Sequence, residues 1–129
     1  MLWKVVFMSK FLVRAVHSGV KFDLKAANGQ TVATSEVYES KAACLKGVES
    51  VRKNAPSAGV EDQTVEGGKA AKHPKFELYQ DKVGRFRFRL KARNGAIIAV
   101  SEAYTTKASC ENGIASVRLN ASEAEIEAE

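Results

Sequence analysis

The sequence predicts an α+β fold: two tandem β-β-β-α-β repeats forming one largely antiparallel sheet, with two helices on one face. Three observations carry that expectation. Residues 22–55 match residues 88–121 at a constant offset of 66, with 19 of the 34 aligned positions identical. In each copy apolar residues first alternate with polar ones, then recur every three or four positions, so a strand period gives way to a helix period. An Asn-Gly pair splits the alternating part of both copies, at Asn28-Gly29 and Asn94-Gly95, where a hairpin turn belongs.

Residues 1–9 precede the first copy as an N-terminal extension. Lys4, Lys10 and Arg14 interrupt every apolar run there, so neither a signal peptide nor a membrane span is expected. Met8 can itself serve as a start, which would make residues 1–7 an upstream addition. Repeat 1 covers residues 10–66. It opens with a strand over Phe11–Val16, followed by a hairpin of strands Lys21–Ala27 and Gln30–Glu36. The turn is expected to be type I′, with Asn28 and Gly29 both at positive φ. Ser40 is the expected N-cap of a helix whose buried stripe is Cys44, Gly47, Val48, Val51 and Ala55. Gly59-Val60-Glu61-Asp62 then suits a short edge strand.

Residues 67–75, rich in Gly, Lys and Pro, form a linker. Repeat 2, residues 76–129, follows the same order: strands Phe76–Gln80, Phe86–Arg93 and Ala96–Glu102, a Thr106 N-cap, and a helical stripe of Cys110, Gly113, Ile114, Val117 and Ala121. Glu125-Ile126-Glu127-Ala128 occupies the place of the last strand. Gly47 and Gly113 sit mid-helix, where a glycine costs about 1 kcal/mol relative to alanine. Its recurrence implies a close approach by the sheet or the other helix.

The 129 residues carry a net charge of +5 with 45% hydrophobic and 27% charged positions, which excludes a disordered, collagenous or disulfide-scaffold protein. With two cysteines and no targeting signal, a reducing cytoplasm is the expected compartment.

The twice-repeated pattern F-x-L-K-A-x-N-G … S-E-x-Y … K-A … G-[VI]-x-S-V-R-x-N-A resembles the YegP-like family of small uncharacterised bacterial proteins, over roughly residues 10–129. The resemblance implies a β3-α-β unit, used as a tandem pair or a homodimer, with one continuous sheet and the C-terminal strands exchanged between units. It brings no activity, cofactor or catalytic residue. Cys44 and Cys110, and the extension Met1–Phe7, lie outside the family pattern.

The chemistry-bearing feature with the clearest geometry is a cationic stripe. Alternation puts Arg85, Arg87, Arg89, Lys91 and Arg93 on one side of a single strand, opposite Phe86, Phe88 and Leu90. With a two-residue turn, Lys91 faces Ile98, Arg89 faces Val100 and Arg87 faces Glu102. Such a row can bind phosphates, or it can be a solvated face whose stems cover apolar neighbours, with Arg87–Glu102 and Lys21–Glu36 as cross-strand ion pairs. Tyr79 is the one ring expected on that face, so a stacking platform for bases is missing. Repeat 2 has eight Lys/Arg against eight Asp/Glu, net zero, because Glu123, Glu125, Glu127 and Glu129 offset the stripe. That acidic tail is a candidate neighbour of the cations.

Cys44 and Cys110 fall on the buried stripe and read as inert thiols. His17 is expected in a turn and His73 in the linker, and neither pairs with a cysteine, so no metal site is expected. Gly67-Gly68-Lys69 lacks the spacing of a phosphate-binding loop, and no nucleophile–base arrangement is legible. Ser35-Glu36-x-Tyr38 and Ser101-Glu102-x-Tyr104 are expected to fix the strand-to-helix junction. The leading expectation is a small non-enzymatic interaction module, without cofactor, bound to a protein partner or to itself. The alternative is nucleic-acid or polyanion binding through the cationic face of strand 85–93.

Overall fold

Both predicted repeats form. The computed structural model describes residues 9–129, so the expectations for residues 1–8 lie outside the described residues. Repeat 1 contributes β1 (Lys10–Val16), β2 (Gly19–Lys25), β3 (Thr31–Thr34), α1 (Lys41–Asn54) and β4 (Gly59–Asp62). Repeat 2 contributes β5 (Lys75–Gln80), β6 (Phe86–Lys91), β7 (Ile97–Val100), α2 (Lys107–Ala121) and β8 (Glu125–Ala128). A 3-10 turn, Ala55–Ser57, separates α1 from β4.

The eight strands form a single sheet in the order β4-β5-β6-β7-β3-β2-β1-β8. The last strand of each repeat is exchanged: β4 lies parallel to β5, and β8 lies parallel to β1. The other pairings are antiparallel, and the repeats meet at Thr34 opposite Val100. The helices hold the exchange in place. Arg52 of α1 donates to the Ala124 carbonyl just before β8, and Arg118 of α2 donates to the Ala58 carbonyl just before β4. Their guanidinium groups lie over Phe11 and Phe76, at 5.6 and 5.3 Å from the ring centroids.

The core lies between the helices and the sheet, with α1 across β1, β2 and β7 and α2 across β3, β5 and β6. Phe11 meets Phe22 edge-on at 5.6 Å, and Phe76 meets Phe88 likewise at 5.9 Å. All of Cys44, Gly47, Val48, Val51 and Ala55 are buried, as are Cys110, Gly113, Ile114, Val117 and Ala121. Ser40 and Thr106 cap the helices, each hydroxyl accepting at 3.1 Å from the third residue on.

The hairpin turns differ from the expected type. Positive φ occurs at Gly29 and Gly95 and at no non-glycine residue among those described. Each hairpin is a three-residue loop closed by a glycine bulge, one residue longer than a type I′ turn: Gly95 N–H donates to the Ala92 carbonyl at 2.8 Å and Ala92 N–H to the Ala96 carbonyl at 2.9 Å. Asn94 serves through its side chain instead, Oδ1 accepting from Ala96 N–H at 2.9 Å, and Asn28 does the same for Gln30. The turn and a register shift in β7 change the facing residues, so Lys91 pairs with Ile97 rather than Ile98.

The Ser-Glu-x-Tyr motif ends each hairpin by a bulge. Ser101 Oγ replaces a backbone carbonyl in the ladder, accepting from Phe88 N–H at 2.8 Å while donating to the Glu102 carbonyl at 2.8 Å. The chain then rejoins β6 with Tyr104 opposite Phe86. Ser35 and Tyr38 repeat this arrangement on β2.

Candidate functional site

Phe76, Leu78, Phe88 and Leu90 are drawn into the core, so the alternate residues of β5 and β6 take the opposite face. Across the two strands Lys75 lies opposite Lys91, Glu77 opposite Arg89, and Tyr79 opposite Arg87. Glu77 is the centre of this face and only 3% exposed. Its Oε1 accepts from Arg89 Nε at 2.5 Å and lies 3.3 Å from Lys91 Nζ, while Oε2 lies 3.2 Å from Lys75 Nζ. Burial pushes this carboxyl up, but the hydrogen bonds from Arg89, Lys75 and Lys91 together outweigh it and hold it below the ordinary value. Lys75 also bonds Glu61 of β4 at 2.8 Å, tying in the exchanged strand. Hydrogen bonds from Lys75, Gln63 and the Ala71 backbone lower the Glu61 carboxyl to about 2.

Of the predicted stripe, Arg87, Arg89 and Lys91 come together, and each already faces a carboxylate. Arg87 bonds Asp81 at 2.9 Å, not Glu102, and the Lys21–Glu36 pair is likewise not formed. Arg85 and Arg93 flank the strand in turns. Arg85 is exposed, and its backbone N–H is held by Asp81 Oδ1 at 2.9 Å. Arg93 departs because β6 ends at Lys91; its N–H bonds Asn54 Oδ1 of α1 at 3.3 Å. Tyr79 does share the open face, but Arg89 covers its ring at 4.5 Å. The acidic tail is distant, since β8 lies beside β1 with Glu127 2.9 Å from Lys10. Reading β5 by alternation would have found Glu77 between Lys75 and Tyr79.

A second feature is a cleft of about 540 Å³ between the outer side of α1 and the β6–β7 hairpin, lined in part by Lys46, Ser50, Lys53, Asn54, Arg93 and Asn94. Its pseudo-symmetric counterpart, about 250 Å³, lies between α2 and the β2–β3 hairpin. Sequence reasoning did not find these clefts, because each joins a helix of one repeat to a hairpin of the other.

Cys44 and Cys110 are buried free thiols; burial pushes both up, Cys110 to about 11 with a further contribution from Glu111. His17 sits in the exposed β1–β2 turn and His73 is exposed in the connection before β5. Among the described residues, no three His, Cys, Asp or Glu side chains are grouped to hold a metal ion. None of the described helices is long and apolar enough to cross a membrane.

The family described as a domain of unknown function, DUF1508, matches residues 18–62 and 81–127, one match in each repeat. The chain belongs to this family. Among its relatives, the UPF0339 protein YegP of Escherichia coli O157:H7 is 40% identical over 109 residues, 84% of this chain and 86% of that protein. A UPF0339 protein of Treponema denticola is 62% identical over 52 residues, which are 40% of this chain but 90% of that protein. The solution structure of E. coli YegP, described as a protein of unknown function, has a TM-score of 0.78 at 34% identity, covering 98% of this chain and 97% of that one. A UPF0339 protein of Shewanella oneidensis gives 0.76 at 30% identity, covering 93% and 90%.

Proposed function

We propose that this DUF1508 chain is a small non-enzymatic binding module that works in the reducing cytoplasm. One observation carries the reading: the perturbed titratable groups are tuned for ion pairing and not for proton transfer. The carboxyls of Asp23, Glu61, Asp62, Glu77 and Asp81 all sit below their ordinary values, and Lys75 and Lys107 above theirs. A general acid or base working near neutrality needs the opposite displacement. Both thiols move away from the reactive thiolate, and buried free thiols suit a reducing compartment.

The paired open face also favours a smaller ligand over nucleic acid, because Arg87, Arg89 and Lys91 are each already engaged by Asp81 or Glu77. The test is a thermal-shift screen of phosphorylated metabolites, dicarboxylates, nucleotides and oligonucleotides, with each hit recovered and analysed by NMR. A raised melting temperature with chemically unchanged ligand is expected. Conversion of a hit into product would overturn the reading.

A further inference from the structure

We propose that the cleft between α1 and the β6–β7 hairpin binds a small phosphate monoester, an inference that rests on the binding-module reading and assigns its ligand. The duplication supplies an internal comparison. At the offset of 66, Ser50 and Asn94 are matched by Ser116 and Asn28, which line the second cleft, so part of the polar framework recurs in both. The charges are not. Lys46, Lys53 and Arg93 are matched by Asn112, Leu119 and Ala27. Three cations therefore line one cleft where its twin has none, and the fold does not require them.

Their arrangement suits an anion. Lys46, Ser50 and Lys53 stand at i, i+4 and i+7, on one face of α1. Arg93 comes from the opposite wall, its backbone fixed to the helix by Asn54, itself 8% exposed and anchored to the Ser50 carbonyl at 2.7 Å. Among the described residues, Lys46, Lys53 and Arg93 form no ion pair; Glu49, which also lines the cleft, is engaged by Arg52 at 2.6 Å. A cation near a helix C-terminus offsets the macrodipole, which accounts for Lys53 but not for Lys46 two turns earlier or for Arg93 on another repeat.

Two ammonium groups and one guanidinium fork match a phosphate dianion, with Ser50 and Asn94 as neutral partners. A volume of about 540 Å³ falls in the range of small-molecule sites, leaving room for the esterified group. A nucleic-acid strand would need a cationic track beyond the cleft, and the nearest cations of β6 are already paired.

The test is an amide-resolved NMR titration of the full chain. The probes are inorganic phosphate, a hexose phosphate and a nucleoside monophosphate, with succinate and a single-stranded oligonucleotide as comparators. Shifts confined to residues 46–54 and 92–95 are expected with a phosphate monoester, weakening as salt rises. The triple variant K46N/K53L/R93A carries residues the other repeat already accommodates, and should bind at least about tenfold more weakly with its melting temperature preserved. The reciprocal variant A27R/N112K/L119K should gain a second set of shifts at residues 26–30 and 109–116. Unchanged binding by the first variant, shifts centred on residues 87–91, or equal response to the oligonucleotide would overturn the assignment. A ligand that binds the first variant normally but is not converted removes the cleft and leaves the binding module. A phosphate ester that binds in the cleft and is hydrolysed removes the non-enzymatic reading and leaves the cleft.

Discussion

The Tyr104 hydroxyl lies against Gly113 of α2, where a β-carbon would stand only 2.5 Å from the oxygen. Tyr38 makes the same contact with Gly47 of α1. Each ring also stacks on the central phenylalanine of its own repeat, Tyr104 on Phe88 at 6.5 Å and Tyr38 on Phe22 at 6.4 Å. The Ser-Glu-x-Tyr junction and the mid-helix glycine are therefore two halves of one device. The bulge returns the chain to the neighbouring strand, and the glycine leaves space for the ring between helix and sheet.

Gly113→Ala should accordingly destabilise the protein. In an open helix the change gains about 1 kcal/mol. Here the methyl also meets Phe88 Cε2 at 3.0 Å, and overpacking of this kind costs about 1–3 kcal/mol. Urea unfolding of Gly113→Ala, Tyr104→Phe and the double variant would measure the coupling. Loss of the hydroxyl should restore part of the stability in the double variant; a stabilised Gly113→Ala would show that the ring yields freely.

Ser101→Ala removes the only hydrogen-bond acceptor the described residues offer Phe88 N–H at the end of the ladder. A buried donor left unpaired costs about 1–3 kcal/mol. Hydrogen exchange at the Phe88 amide should accelerate far more than at Leu90. Equal protection of both amides in the variant would mean that the hydroxyl is not the operative acceptor.

The repeat, the caps and the helical stripes were legible because local patterns encode them. The turn type departs from the local pattern because asparagine has two uses at a turn, and Asn28 and Asn94 act through their side chains and not through positive φ. That difference ended the cationic stripe at Lys91 and sent Arg93 to α1. Glu77 is not singled out by the β6 pattern, because its role depends on the register that sets it opposite Arg89 and between Lys75 and Lys91. The cleft was beyond local reasoning, since Lys46 and Arg93 meet only through the packing of α1 against the other repeat's hairpin.

Glu77→Gln tests the paired face. Breaking a buried ion pair from one side costs about 3–5 kcal/mol, and here three cations lose their shared partner. The pH dependence has a definite sign. Carboxyls lowered by folding stabilise the native state above their unfolded values near 4, and that contribution is lost as pH falls through the folded values, down to about 2 for Glu61. Stability should be level from pH 7 to about 5 and decline below about 4, less steeply in Glu77→Gln than in the parent. Chemical unfolding across this range is the measurement, and an unchanged acid slope would remove Glu77 from the account.

The exchanged strands predict how one repeat behaves alone. Residues 76–129 without repeat 1 leave β5 without β4, β7 without β3 and β8 without β1, so three partners are missing at once. A second copy supplies all three: β8 of one fragment takes the place of β4 against β5 of the other, and the two β7 strands meet where β7 now meets β3. Arg118 then finds the Ala124 carbonyl of the second copy where it now holds Ala58. The 52 matched residues that make up 90% of the Treponema denticola relative have room for one such repeat. The fragment should sediment as a dimer with a concentration-dependent melting temperature, whereas the same fragment ending at residue 123 should not fold. A stable monomer at low micromolar concentration would show that each repeat closes its own sheet, and that exchange follows from fusion of the repeats instead of being their condition for folding.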